Sequence, residues 1–336
     1  MPQQDIQNTL FELVKQRIAG QDTIGNALAE VLSLSSDAVY RRYRGETALT
    51  INEIKKICLH YNISFDALCS MEAGNVTFTY PPLNTYDFSL ETYLEGILRA
   101  FEKLKSLGDP QLIISVNNTP FFQLLNFPQL VRFKLYFWAK THLMIPAYQN
   151  EKFKHEKTSE RAFELGRDIL QIYNSIPSQE IYDPQLLQGF IRQIVYYCQA
   201  HHFEDPEYAL FLCDRLKMMS AHIRDQASLG KKFIYGTQAP ASGNDFAMYN
   251  NEIVNTDASF YFNSSELQGV YLTHNVMNYL QTTNKGYVED TKQILDKQIA
   301  NSSIISVVNE KERNNYFHEL DRSIDNAKKK IEASLL

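Results

Sequence analysis

The first seventy residues break into short apolar stripes of helical period, each ended by a stop or cap within about ten residues. That pattern leaves little choice but a small bundle of short helices. Ile6, Leu10, Leu13, Val14 and Ile18 form one stripe, with Gly20 as its stop. Asp22 or Thr23 starts a second helix that turns Ile24, Leu28, Val31 and Leu32 inward, and Ser33-Leu34-Ser35 ends it. Ser35 or Ser36 caps a third helix running to Arg44, with Gly45 as its stop. Thr50 and Glu53 carry a capping-box signature for a fourth, with Ile54, Ile57, Cys58 and Tyr61 on one side. Ser64 caps a last short helix holding Phe65 and Leu68. Helices of this length are marginal alone in water, so they must share one core.

The tight turn between the second and third helices makes them cross steeply and pushes the third outward. On that helix Val39 and Tyr43 take one side, while Ser36, Asp37, Tyr40, Arg41 and Arg44 share the other. Arg41, Arg42 and Arg44 place three positive charges in four residues. The seventy residues hold seven Lys+Arg against eight Asp+Glu, so the positive charge is local. A thin helix carrying Arg and small polar groups suits a DNA major groove. Taken alone, the same arginines also read as a solvated helix face.

The stretch from Leu28 to Leu68 resembles the Cro and phage-repressor (XRE) type of helix-turn-helix domain. The resemblance rests on Leu28-Ala29, Ser35, Val39, Gly45, Asn62-Ile63-Ser64 and Asp66-Ala67-Leu68, and the head that carries it, residues 1–70, makes up about a fifth of the chain. It departs at Gly25, where the family often has Gln, at Ser33, where Gly is common, and at Arg42, where an aromatic is usual. The resemblance implies double-stranded DNA as partner. It places base-reading contacts on Ser36, Asp37, Tyr40 and Arg41 and phosphate contacts on Arg42 and Arg44. The stretch NFPQLVRFKLYFWAKTHL, with IPSQEIY later, is similar to full-length regulators of this type from Bacteroidota.

Residues 71–88, with Tyr80-Pro81-Pro82, read as a linker between a head at 1–70 and a larger domain at 89–336. In the larger domain Ser89 caps a helix with Leu90, Leu94, Ile97, Leu98, Phe101 and Leu104 inward, ended by Gly108 and Pro110. Gln111 to Val116 is a buried strand. Pro128 starts a helix carrying Leu130, Phe133, Phe137, Trp138 and Leu143, and further helices follow near 159–174, 184–200, 205–228 and 286–300. Phe246 to Val254, Ala258 to Asn263 and Leu267 to Thr273 read as an antiparallel meander with a turn at Asn263-Ser264-Ser265. The fold class is therefore α+β and helix-dominant, with a small antiparallel sheet in the larger domain.

The chemistry-bearing residues give no known catalytic pattern. There is no Gly-x-Ser-x-Gly elbow, no dinucleotide fingerprint and no phosphate-binding loop, and His155 lacks a second His four residues on. Cys198, His201, His202, Cys213 and His222 are the right types for zinc, but Cys213 and His222 point to different sides of one helix. No catalytic residue, cofactor or metal is expected. The 20 Tyr and 20 Phe supply core and could also line a pocket for an apolar or planar effector. Phe317, Leu320, Ile324, Ala327, Ile331 and Leu335 form a heptad-like seam that suits either docking on its own domain or dimerisation.

With a net charge of −6, bulk charge does not make the chain a blanket nucleic-acid binder. No apolar run reaches the length of a bilayer span, no secretory leader is evident at the first residues, and four cysteines make no disulfide framework. The expectation is a cytoplasmic, homodimeric, sequence-specific DNA-binding regulator without a membrane partner, its larger domain sensing a small-molecule signal or forming the dimer. Two rival expectations are an enzyme with an unrecognised active site carrying a DNA-locating head, and a protein-interaction module.

Overall fold

Caps that act over three residues set the helices of the head. A computed structural model describes residues 6–15, 17–18, 23–61, 63–65, 68, 75–82, 88–116, 118–154, 159–253, 258–275 and 277–335. The chain divides into two compact units, Met1–Phe78 and Thr79–Leu336.

In the first unit α1 spans Ile6–Lys15, α2 Ile24–Leu32, α3 Ser36–Tyr43 and α4 Ile51–His60. Thr23 and Ser35 each accept a hydrogen bond from the backbone three residues on, and Thr50 with Glu53 forms the reciprocal capping box. Leu10, Phe11, Val14, Leu28, Val39 and Ile57 close one core, to which Ile63 and Leu68 also belong. Gly20, Asp22, Asn62, Asp66, Ala67 and Cys69 lie outside the described residues, and with them most of the fifth helix.

Each departure from the helix-turn-helix pattern has a physical counterpart here. Ser33 sits at φ 56°, the left-handed position at which Gly is usual after a helix. Its N–H and that of Leu34 bond back to Glu30 and Ala29, which closes the turn between α2 and α3. At Gly25 the ring of Tyr40 lies where a Cβ would stand, with Cε2 only 2.4 Å from that point. Arg42 turns inward and pairs with Glu53 at 2.8 Å, tying α3 to α4. From α1, Gln7 bonds the carbonyls of Arg42 and Thr47 and the N–H of Leu49, so the α3–α4 loop is fastened from a third side.

The second unit is built on one mixed sheet, seven-stranded among the described residues, in the order β6-β5-β4-β1-β2-β3-β7. Its strands are β1 Gln111–Val116, β2 Ser178–Tyr182, β3 Phe246–Asn250, β4 Ser259–Asn263, β5 Gln268–His274, β6 Asn278–Thr282 and β7 Ser303–Ile304. Its helices are α5 Leu90–Ser106, α6 Phe121–Leu124, α7 Pro128–Phe137, α8 Pro146–Gln149, α9 Glu160–Ser175, α10 Gln188–Gln199, α11 Tyr208–Leu229, α12 Lys285–Ala300 and α13 Glu310–Leu335. A π-helical turn, Trp138–His142, continues α7. The fold is α+β with helix dominant.

The sheet corrects one expectation. Phe246 to Asn250 is not the first strand of the meander; it pairs parallel with β2, which itself pairs parallel with β1. Parallel neighbours need long crossovers, and the helices between β1, β2 and β3 provide them. The meander is instead β4, β5 and the unanticipated β6, all antiparallel, with Ser264 and Leu267 closing the first turn. Val254, named in the expected strand, lies outside the described residues.

Alternation along the sheet gives it two covered faces. Ile113, Ile181, Tyr261 and Val270 meet Val288 and Leu295 of α12 on one side. Leu112, Ile114, Val116 and Phe262 join the large core formed with the remaining helices on the other. The heptad-like seam of α13 docks within its own unit: Phe317, Leu320, Ile324, Ala327 and Ile331 are buried against α11 and α10, while Leu335 stays exposed. Burial of each large aliphatic contributes about 1.5–3 kcal/mol. Ion pairs Lys217–Asp325 and Lys328–Asp214 line the rim of that seam. Among the described residues no helix is long and apolar enough to cross a membrane.

Candidate functional site

Two places carry chemistry: the outer face of α3 in the first unit and a cavity in the second.

On α3 the buried side is Val39, with Tyr43 edge-on to Phe11 at 5.5 Å between ring centres. Opposite them Asp37, Arg41 and Arg44 are exposed, and Ser36 and Tyr40 are half-buried. Arg41 pairs with Asp37 at 3.1 Å, but the two side chains remain 60% and 70% exposed. An exposed pair of this spacing contributes only about 0.3–0.5 kcal/mol, so the guanidinium is released at little cost. Arg44 makes two bonds to Glu46, at 2.6 and 3.2 Å, which hold the Glu46 carboxyl below the usual range. Ser36 donates to Asn26. The ring of Tyr40 is pinned over Gly25, which fixes its direction on the face.

Five of the six residues expected to meet DNA thus share one outward surface. Arg42 does not. Its guanidinium is taken up by Glu53 and by the Ala38 carbonyl, where it braces the helix from behind. Position in the helix explains this: Arg42 follows Arg41 by 100° of rotation and falls on the edge facing α4.

The cavity, about 490 Å³, lies between the β1–β2–β4 part of the sheet and helices α5, α6 and α7. Tyr93, Phe101, Phe121, Phe122, Trp138 and Phe260 are among the aromatics on its wall. Two charged side chains, Glu180 and Lys134, and a histidine, His142, break that surface. Glu180, on the cavity-facing side of β2, is 1% exposed. Its carboxylate accepts hydrogen bonds from the hydroxyls of Tyr173 at 2.6 Å, Ser178 at 2.8 Å and Tyr182 at 2.5 Å. Burial, followed by the Glu180 charge, pushes both tyrosine hydroxyls well above their ordinary pKa, so they stay protonated donors. Lys232, fully buried, stands 3.9 Å from Glu180 and 4.0 Å above the Tyr173 ring. Burial lowers its pKa to about 8, with Glu180 acting the other way.

The second group is Lys134 on α7. Its ammonium donates to Gln193 at 2.9 Å and lies over the rings of Trp138 and Phe190 at 5.2 and 5.3 Å. Burial alone lowers its pKa to about 8. His142, also on the wall, is lowered by burial and then by the Lys134 charge.

None of Lys134, Glu180 and Lys232 was singled out from the sequence. Lys134 carried a signal: it stands four residues after Leu130 and four before Trp138, on the stripe that faces inward. Glu180 carried none, because the core face of its strand reads Ser178, Glu180, Tyr182, without an apolar residue to mark it.

The zinc-type residues do not converge. Among the described residues no three His, Cys, Asp or Glu side chains gather to hold a metal. Cys198 and Cys213 are buried free thiols, the latter pushed up to about 12 by burial, and His222 bonds the Phe233 carbonyl. His155 lies outside the described residues. Protein-family models, curated proteins and solved structures offer no match to the chain.

Proposed function

We propose that the chain is a sequence-specific DNA-binding regulator whose first unit reads the duplex with α3 and whose second unit senses a signal. The observation that carries this reading is the face of α3. Behind it, Val39, Arg42 and the Ser33 turn hold the helix rigid; in front, Asp37, Tyr40, Arg41 and Arg44 are grouped within two turns. Arg41 is assigned to base edges, Arg44 to a phosphate in place of Glu46, and Ser36, Asp37 and Tyr40 to the contacts between them. Arg42 acts as the brace.

One such helix reads only a few base pairs, so useful specificity requires two heads about 34 Å apart on one face of the duplex. A homodimer on a near-palindromic site follows. The α13 seam is spent inside its own unit, so the dimer contact lies elsewhere. The aromatic cavity with its two buried ionisable centres supports the sensing role of the second unit.

Gel-shift titration against a selected site tests the reading face. Arg41→Ala is expected to weaken specific binding by about 1–3 kcal/mol and to relax the preference at one base pair. Unchanged affinity and footprint remove Arg41 from the reading face. A flat salt dependence would favour the protein-interaction alternative, because phosphate contacts release counterions.

A further inference from the structure

Lys134 is 9% exposed, and its ammonium has three donor hydrogens. Gln193 takes one, and among the described residues no carboxylate pairs with it. Beside it, Trp138 is 6% exposed, and its indole Nε1–H is buried without an acceptor. Both residues line the same cavity. A buried cation without a counter-ion and a buried donor without an acceptor each carry a desolvation penalty. Here the two occur side by side in a hollow whose wall is mainly apolar.

The other charge on the wall is already matched. Glu180 accepts from three hydroxyls and has Lys232 as its counter-ion at 3.9 Å, so one buried charge on the wall has an opposite charge beside it and the other lacks an anion. A hollow of about 490 Å³ falls within the roughly 300–1,000 Å³ of small-molecule sites. On the wall Phe121, Phe122 and Phe260 offer a small molecule apolar faces, beside polar groups such as Asn118, His142 and Asn278.

We infer that the cavity binds a small apolar carboxylate, its two oxygens accepting from the Lys134 ammonium and the Trp138 Nε1–H and its body lying among the aromatic rings. This rests on the sensing role proposed for the second unit and names the chemistry of the signal. The binding itself is independent of DNA.

Calorimetric titration of the full chain without DNA tests it. The probes are octanoate and naphthoate, with octanol as the uncharged match and octylammonium as the opposite charge. At least one carboxylate is expected to bind at least tenfold more tightly than octanol, and octylammonium least tightly of all. Lys134→Met, which keeps the stem and removes the charge, is expected to bring carboxylate affinity down to that of octanol while octanol binding holds. Trp138→Phe, which keeps an aromatic body and removes the N–H, is expected to weaken the carboxylate severalfold. Equal binding of octanoate and octanol, a preference for octylammonium, or no binding of any probe overturns the inference. The ligand series on the unaltered chain decides the matter even where a variant fails to fold. A head that ignores DNA would leave these titrations unchanged, so failure here and failure of the DNA-binding reading are separate results.

Discussion

Removing the charge of Glu180 probes the most concentrated set of interactions in the second unit. The carboxylate is 1% exposed, accepts from three hydroxyls and stands 3.9 Å from a lysine with no exposure at all. In Glu180→Gln the side chain keeps one carbonyl acceptor and gains an amide that can only donate, so a hydroxyl that donated to the lost oxygen has no acceptor. Lys232 loses its counter-ion, and its ammonium has no hydrogen-bond partner to fall back on. Breaking a buried pair from one side costs about 3–5 kcal/mol, because an uncompensated charge stays behind. Lys232→Met added to Glu180→Gln removes that charge. The double variant is therefore expected to be more stable than the sum of the two single effects by about 2 kcal/mol or more. Urea unfolding of the full chain measures this. The chain has one tryptophan, Trp138, which lies in the same core, so its fluorescence follows the second unit. Single effects that add within about 0.5 kcal/mol would refute the argument, since independent sites add to that accuracy.

Three further outcomes follow from individual residues. Ser33→Gly is expected to stabilise the head by about 1 kcal/mol, because a left-handed residue with a Cβ is strained by that order; slower hydrogen exchange at the buried α2–α4 amides reads it, and faster exchange contradicts it. Lys134→Met is expected to change how stability depends on pH. The folded chain releases the Lys134 proton near pH 8 and the unfolded chain near 10.5, so between those values the unfolded state holds more protons and the unaltered protein gains stability as pH rises. The gain relative to Lys134→Met is on the order of 3 kcal/mol at about 1.36 kcal/mol per pH unit, and below pH 8 the difference is constant; a difference that stays flat up to pH 10.5 removes the burial effect. Glu53→Gln is expected to loosen α3 by taking away the anion of Arg42, and DNA affinity should fall across all sequences alike; a loss confined to one base pair would mean that Arg42 touches DNA itself.

How much was legible in the sequence depended on how far apart the interacting residues lie. Thr23, Ser35, Thr50 with Glu53, and Gly45 act on backbone three or four residues away, so the helices of the head could be placed from the sequence. The strand at Gln111 to Val116 is visible because the apolar run Leu112-Ile113-Ile114, with Val116, marks it. Its partner is not. Ser178 to Tyr182 spends its core face on hydroxyls and a carboxylate, and it reaches β1 across a crossover of more than sixty residues. Phe246 to Asn250 alternates cleanly, but alternation says which residues face inward and not which strand lies alongside, so it was assigned to the wrong neighbour. Arg42 has its phosphate contact from the family resemblance alone; helical spacing leaves it off the outward side, and its partner Glu53 lies on another helix. Lys134 stands on the inward stripe by its spacing from Leu130 and Trp138, but its burial beside an unaccepted indole N–H exists only once α7 has packed.

The account depends above all on α3 entering DNA, and selection from a random duplex pool by the full chain measures that directly. The expected result is enrichment of a near-palindromic site with half-sites about one helical turn apart, enrichment that Arg41→Ala degrades. Recovery of the pool with no preferred sequence at any salt concentration, under conditions where the chain is folded, would contradict it.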